Sequence, residues 1–193
     1  MSATPRRLLT AVAAASATVA LASACGGGSG APGSDASSPA TFTNSYLSFR
    51  YPTTWSTYPF KWSGELHFHP MLYVSTQPVR NPCRTQSQTV VCGWPVDELD
   101  PGGILITLEN RGAPGWSLGD AAGKAFRVGG RPARRNVDRP GSCGAIGGEE
   151  TVDVDVASPQ PGNWTELLAC LRGPRLGSNE HRVDALLRSV RFR

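Results

Sequence analysis

Gly115 to Gly119 form a Gly-x-Ser-x-Gly pattern, which in α/β hydrolases places a nucleophilic serine on a sharp turn between a strand and a helix. Asp138 and His181 follow Ser117 in the order that those enzymes use for the acid and the base of the catalytic triad. The residues directly before this pattern, 111–114, contain a glycine and a proline and are unsuited to the strand that such a turn requires. We therefore expect Ser117 in a glycine-rich turn without contact to His181, and an envelope hydrolase that uses Ser117 is the alternative.

Glu65, His67 and His69 alternate along a predicted strand, so their side chains could project from one face and bind a metal ion together. Leu66 and Phe68 would then face the core, which makes the opposite face an ordinary solvent-exposed one. A further metal ligand would have to come from a distant part of the chain. The sequence therefore predicts no metal site and no cofactor, with a metal-dependent enzyme on this face as an alternative.

A predicted hairpin between Phe126 and Pro140 is rich in arginine. The residues that could bind an anion there are Arg127, Arg131, Arg134 and Arg135, and Arg139 follows them. Guanidinium groups bind phosphate and carboxylate through paired hydrogen bonds, so this edge suits anionic envelope polymers, lipid headgroups or a phosphorylated ligand. The alternative is a charged strand edge that prevents further strand pairing and is neutralised by the acidic residues within 149–155.

The chain has five cysteines, and four of them lie after residue 41, at Cys83, Cys92, Cys143 and Cys170. An even number of cysteines in an exported domain indicates disulfide bonds, because the compartment is oxidising. We expect Cys83 to pair with Cys92 and Cys143 with Cys170, since each bond then joins sequence neighbours. A four-cysteine zinc site is the rival interpretation, but the sequence lacks the Cys-x-x-Cys spacing of such sites.

Residues 1–24 have the pattern of a secretory signal peptide. Arg6 and Arg7 precede an apolar run over residues 8–21, which is too short and too rich in Ala, Ser and Thr to remain in a membrane. The sequence Leu-Ala-Ser-Ala-Cys at residues 21–25 resembles a bacterial lipobox and implies a diacylglyceryl thioether on the sulfur of Cys25. Residues 22–24 also fit ordinary signal peptidase, so cleavage without lipidation stays open.

Residues 25–40 are Gly, Ser, Ala and Pro with one charge, at Asp35, and cannot bury enough apolar surface to fold. We interpret this tract as a flexible tether and residues 41–193 as a single α+β domain of ordinary size. The formal net charge of the whole chain is +4, and removal of Arg6 and Arg7 lowers it further. So small an excess does not indicate a nucleic-acid partner.

The hydrophobic periodicity after the tether predicts more strands than helices. Predicted strands and strand pairs cover residues 46–51, 66–75, 104–109, 126–137, 150–157 and 163–171, with a proline-rich loop over 77–101. Within 150–157 the valines are expected to face the core, and Asp153 and Asp155 are expected to face solvent.

A short helix is predicted over 118–125, and a final helix is predicted to begin at Ser178 or Asn179 as its N-cap. The apolar stripe of the final helix consists of Val183, Leu186, Leu187 and Val190. These elements predict the α+β class, with an antiparallel β-sheet covered by helices.

Each end of the predicted domain carries a recognisable motif. Residues 49–55 form an aromatic strand that runs into Tyr-Pro-x-x-Trp, and residues 186–192 form the end of an amphipathic helix and a short final strand. The first motif resembles the opening of PsbP-like domains, and the second is similar to their close. Residues 129–133 are reminiscent of their hairpin centred on Gly-x-Pro. The resemblance implies an α/β/α sandwich. It implies no binding residue, because the family includes bacterial lipoproteins of unknown role beside photosystem accessory subunits.

These observations together predict an exported protein at the outer face of the bacterial cytoplasmic membrane, anchored by lipid on Cys25. We expect a binding or accessory module of the cell envelope without catalytic activity, with an anionic envelope ligand or an unknown protein as its partner. The alternatives are an enzyme that uses Ser117 or the face of Glu65, His67 and His69, and a subunit of an envelope protein assembly with an exposed apolar patch.

Overall fold

The computed structural model describes residues 38–60, 68–86 and 89–193. Within them the strands are β1 (Pro39–Thr43), β2 (Leu47–Pro52), β3 (Ser56–Pro59), β4 (Phe68–Ser75), β5 (Cys83–Gln86), β6 (Thr89–Cys92), β7 (Ile104–Gly112), β8 (Lys124–Val128), β9 (Arg131–Asp138), β10 (Glu150–Ala157), β11 (Asn163–Leu171) and β12 (Arg191–Phe192). The α-helix α1 spans Leu176–Ser189, and two 3₁₀ helices span Leu118–Asp120 and Gly141–Ile146.

Seven strands form one antiparallel sheet in the order β3-β4-β7-β11-β10-β9-β8. At its centre β7 pairs with β11, so that Leu108 lies opposite Leu167. Because side chains alternate between the two faces of a strand, the sheet has two different surfaces. The core face carries Ile104, Ile106, Leu108, Val152, Val154, Val156, Leu167 and Ala169. By the same alternation the polar face carries Glu109, Arg111, Asp153, Asp155 and Glu166.

A second sheet and the helix cover the core face. The second sheet has the order β1-β2-β12, and Leu47 and Phe49 of β2 are each 1% exposed in the main core. Helix α1 adds its apolar stripe to the same core, as the spacing of its valines and leucines predicts. Trp55, directly after β2, also packs there. The sequence thus correctly predicts β2 and the helical stripe.

One end of the polar face is covered by the chain between β4 and β7 and by the 3₁₀ helix Gly141–Ile146. Their smaller apolar cluster contains Val96, Leu99, Leu105, Cys143, Ile146 and Cys170. Cys143 is bonded to Cys170 inside this cluster, and Cys83 is bonded to Cys92 across the two-stranded sheet of β5 and β6. These are the two pairings that the sequence analysis expects.

The predicted fold class is wrong. An α+β domain with an antiparallel sheet covered by helices is not observed, and neither is the α/β/α sandwich that the PsbP-like resemblance implies. The described residues are mostly β, with three sheets and one α-helix. The core face is covered by another sheet together with a single helix. The second sheet forms because β2 carries apolar residues on its inner face and pairs with both neighbouring β1 and chain-distant β12.

Three local predictions also differ from the structure. Residues 118–125 do not form a helix beyond the 3₁₀ turn at Leu118–Asp120, and β8 already begins at Lys124. Helix α1 begins at Leu176, with Arg175 rather than Ser178 or Asn179 as its N-cap. Strand β1 begins at Pro39, inside the predicted tether. Within the described ranges no helix is long and apolar enough to span a membrane.

Candidate functional site

A polar pocket of about 480 Å³ lies at the end of the core face opposite the disulfide-bonded cluster. We call it the open-end pocket. Its lining includes side chains from the ends of β7, β9 and β11, from the turn before β11, and from β12 and the residue after it, namely Asn110, Arg111, Arg131, Gln160, Asn163, Thr165, Phe192 and Arg193. Here the apolar residues of the core face give way to polar ones. No acidic residue is among the residues that line this pocket within the described ranges.

Arg131 and Phe192 form one wall of the open-end pocket. The guanidinium carbon of Arg131 lies 4.1 Å from the centre of the Phe192 ring, which is a cation–π contact. Phe192 packs against the turn at Gly129, where a Cβ atom would lie 2.8 Å from the ring, so glycine is required for this approach. Burial lowers the pKa of Arg131 below its usual range, but the side chain stays protonated.

No carboxylate among the described residues neutralises the charge of Arg131. In the part of the chain that the structure describes, the ion pairs involve other arginines, and none includes Arg131. A partly buried guanidinium that stacks on an aromatic ring and has no ion-pair partner among the described residues is well placed to bind an anion.

Hydrogen bonds hold the opposite wall of the open-end pocket in place. The hydroxyl of Thr165 donates to the amide oxygen of Asn110 at 3.2 Å, which leaves the Asn110 amide nitrogen available as a donor. The amide nitrogen of Asn163 donates to the amide oxygen of Gln160 at 2.9 Å. A Cβ atom on Gly112 would lie 2.6 Å from the Asn163 amide oxygen, so glycine at this position makes room for Asn163.

The polar face of the sheet carries a separate group of ionisable side chains, which we call the carboxylate cluster: Glu109, Asp153, Asp155 and Glu166. Arg111 forms ion pairs with Glu109 and Glu166. Burial raises the pKa of Glu166 to about 7 and that of Asp153 to about 6, and neighbouring carboxylates add to both increases while Arg111 opposes them. Burial likewise raises the pKa values of Glu109 and Asp155. Asp153 and Asp155 lie on the face of β10 opposite the valines, as expected, but they are half-buried rather than fully exposed.

Two tryptophans lie beside the carboxylate cluster. The rings of Trp116 and Trp164 stack with their centres 4.2 Å apart and their planes inclined by 18°. Trp164 also forms a side-chain hydrogen bond with Asp155, which limits the rise of that carboxyl's pKa. This contact explains how Trp164, at the start of β11, is held against the polar face of the sheet.

The predicted arginine patch is divided between different surroundings. Arg131 alone of the predicted anion-binding residues lines the open-end pocket. Arg135 pairs with Glu180 at 3.3 Å and Asp184 at 3.9 Å, both on α1. Arg134 donates to the carbonyl oxygen of Gly123 at 2.9 Å, and Arg127 is exposed on β8. The alternation of β9 separates Arg134 from Arg131 and Arg135, so these residues cannot form one continuous site.

Ser117 lies in the 3₁₀ turn after β7, as the sequence analysis expects. Its hydroxyl donates to Asp120 Oδ2 at 2.9 Å, and its backbone N–H donates to the same oxygen at 2.8 Å. His181 is exposed on α1. Ser117 therefore caps a turn, and no hydrogen bond joins it to His181 within the described residues.

The predicted metal face lies largely beyond the described part of the chain. Glu65 and His67 are outside it, and His69 belongs to β4, where its backbone pairs with Asn110. Within the described residues there is no group of three or more His, Cys, Asp or Glu side chains that could hold a metal ion.

Sequence reasoning missed Asn110, Asn163, Thr165 and Phe192 as pocket residues. Their signal lies in the alternation of β7 and β11: Asn110 and Thr165 occupy positions that continue the core-facing rows of Leu108 and Leu167. Polar residues at core-facing positions near a strand end indicate a polar cavity. The contribution of Phe192 depends on the pairing of β12 with β2, which local sequence patterns do not reveal.

No protein-family model matches the chain, and no curated protein matches it. The resemblance of the two ends to PsbP-like domains therefore stays a prediction, while the layered fold that it implies is wrong.

Proposed function

We propose that this chain is an exported, lipid-anchored binding module of the bacterial cell envelope, and that it takes a small anionic ligand in the open-end pocket. The observation that carries the proposal is Arg131, a partly buried guanidinium on the wall of a cavity that no Asp or Glu side chain among the described residues lines. An anion there would form charge-assisted hydrogen bonds, which are about twice as strong as those between neutral groups.

The cavity has the size expected of a small-molecule site. Its volume of about 480 Å³ falls within the range of known ligand pockets, roughly 300 to 1,000 Å³. Phe192 contributes apolar surface, and Asn110, Asn163 and Thr165 contribute directed polar groups. The lining is more polar than that of most small-molecule sites, which suits a polar, charged ligand.

Export and anchoring rest on other parts of the chain. The two disulfide bonds are compatible with an oxidising compartment outside the cytosol. The lipobox-like sequence at residues 21–25 supports attachment of lipid to Cys25 at the outer face of the cytoplasmic membrane. In this arrangement the lipid holds the binding module close to the membrane.

Ligand-observed NMR with small carboxylates and phosphates tests the binding proposal. Arg131→Gln should weaken binding of these anions at least tenfold, while Arg127→Gln removes an equal charge from an exposed site and should change it less than twofold. Anion binding that Arg131→Gln leaves unchanged contradicts the proposal.

Intact mass spectrometry of the native protein tests the anchoring proposal separately. We expect a lipid-modified N-terminus at Cys25, and Cys25→Ala should release an unmodified chain into the medium. Recovery of the unmodified chain from wild-type cells as the main form contradicts lipid anchoring.

A further inference from the structure

The polar groups on the wall of the open-end pocket that faces Arg131 restrict the chemical class of the ligand. This wall presents amide and hydroxyl groups through Asn110, Asn163, Gln160 and Thr165, and the cations Arg111 and Arg193 also line the pocket. Each amide both donates and accepts hydrogen bonds at fixed positions. An anion with an apolar body would cover these groups without satisfying their hydrogen bonds, which weakens its binding.

Hydrogen bonds between its own side chains hold the polar wall in place. Thr165 is 8% exposed and fixes Asn110 through its hydroxyl, whereas Asn163 fixes Gln160 and sits in space that Gly112 leaves open. Ordered groups lose little conformational entropy when they bind, so they favour a ligand whose own polar groups match their positions. A ring that carries several hydroxyl groups meets this requirement, because every hydroxyl can both donate and accept.

The wall formed by Arg131 and Phe192 suits the C–H groups and the acidic substituent of such a ring. Phe192 offers an apolar surface to the C–H groups of a ring, and Arg131, stacked on Phe192, offers its charge to an acidic substituent at the edge of that ring. We infer that the open-end pocket binds an anionic saccharide, a single sugar ring with one carboxylate or phosphate group. This inference rests on the proposed anion-binding function and adds the hydroxyl-bearing ring to it.

Titration calorimetry of the full mature protein in detergent micelles tests the inference with four probes: glucuronate, glucose 6-phosphate, glucose and hexanoate. Glucuronate or glucose 6-phosphate should bind at least tenfold more tightly than glucose, which lacks the charge. The same sugar acid should also bind at least tenfold more tightly than hexanoate, which has a carboxylate but no hydroxyl groups. The stronger of the two sugar acids identifies the preferred anionic group.

The outcomes separate the inference from the proposed function. Equal binding of hexanoate and glucuronate, with glucose 6-phosphate no stronger, overturns the saccharide inference and leaves anion binding in place. Failure of all three anions to bind overturns both. Binding of glucose as tight as that of the sugar acids contradicts the role of Arg131 and therefore also overturns both.

Variants of the polar wall provide the matched comparison. Asn163→Ala should reduce the preference for the sugar acid over hexanoate at least fivefold, while the affinity for hexanoate changes less than twofold. Gly112→Ala should act in the same direction, because the added Cβ displaces Asn163. Thr165→Val keeps the shape of the buried side chain and removes the hydroxyl that holds Asn110, so it tests the wall at a second position. A preference unchanged in all three variants overturns the inference, and circular dichroism verifies that each variant is folded.

Discussion

Arg111 of β7 forms an ion pair with Glu166 of β11 across the centre of the seven-stranded sheet. Arg111 also pairs with Glu109 on its own strand, its Nη2 atom lying 2.9 Å from the Glu109 Oε2 atom. Asp153 and Asp155 of the next strand repel the Glu166 carboxylate and raise its pKa further. The carboxylate cluster therefore holds more negative charge than Arg111 compensates, on a face from which water is partly excluded.

The excess charge of the carboxylate cluster predicts an unusual pH dependence of stability. Because the pKa of Glu166 rises from 4.5 to about 7 on folding, the folded state binds more protons than the unfolded state between these values. The stabilisation that the protonated Glu166 carboxyl gives to the folded state is fully present below about pH 4.5, and it is lost as the pH rises through about 7. Urea unfolding should therefore give a free energy of unfolding that is lower at pH 8 than at pH 5, by about 3 kcal/mol from Glu166 alone.

The variant Glu166→Gln isolates the contribution of this carboxyl group. Its free energy of unfolding should depend much less on pH, whereas Asp100→Asn, at an exposed position, should keep the wild-type profile. An unchanged pH profile in Glu166→Gln would show that the cluster does not bind the proton.

Arg111 should stabilise the folded state more at pH 8 than at pH 5. Arg111→Met removes the positive charge that compensates Glu109 and Glu166. At pH 8 this change should lower the free energy of unfolding by about 2 kcal/mol. This is less than for a fully buried pair, because 38% of the Arg111 side chain is exposed. Protonation of Glu166 at pH 5 should reduce the loss. The double variant Arg111→Met/Glu166→Gln should recover part of the stability at pH 8, and equal losses for Arg111→Met at both pH values would contradict this account.

The carboxylate cluster also shows what strand periodicity can and cannot predict. The alternation of Val152, Val154 and Val156 correctly places β10 and its core face. It cannot show what lies beside Asp153 and Asp155 on the other face, because Arg111 and Trp164 reach them from β7 and β11. The strand was predictable, but the burial of its carboxylates depends on tertiary neighbours.

The open-end pocket was only partly predictable for a similar reason. Composition identified Arg131 as one of several candidate anion-binding arginines, and the alternation of β9 could have separated it from Arg134. Arg131 and Arg135 differ because α1 packs beside Arg135, where Glu180 and Asp184 form ion pairs with it. The sequence alone does not reveal this packing. The second sheet was not predictable from local pattern, since β2 and β12 pair from opposite ends of the domain.

The two disulfide bonds should differ in accessibility and in their effect on stability. Cys143 and Cys170 are 0% exposed and close a sequence separation of 27, whereas Cys92 is exposed and its bond to Cys83 closes a separation of 9. Low concentrations of dithiothreitol, followed by alkylation and peptide mass spectrometry, should label Cys83 and Cys92 first. Replacing Cys143 and Cys170 together should lower the free energy of unfolding by about 2 to 5 kcal/mol. Replacing Cys83 and Cys92 together should lower it by less, because their bond closes a shorter loop. Labelling in the reverse order would contradict the difference in burial.

Asn179 should stabilise the junction of α1 with the sheet through its side chain, rather than cap the helix. It is 2% exposed, and its amide nitrogen lies 3.1 Å from the carbonyl oxygen of Gly102 and 3.4 Å from those of Gly103 and Arg172. Asn179→Ala removes the side-chain donor from these carbonyl groups, of which Gly103 keeps the backbone N–H of Arg172, and should lower the free energy of unfolding by about 2 kcal/mol. Asn179→Asp should lower the free energy of unfolding more, because a carboxylate cannot donate and repels carbonyl oxygens.

Ser178→Ala is the control: an exposed serine inside the helix should change stability by less than about 0.5 kcal/mol, whereas an N-cap serine would contribute about 1 kcal/mol. Chemical unfolding of the three variants decides between these roles, and a larger loss in Ser178→Ala than in Asn179→Ala would restore the N-cap that the sequence predicts.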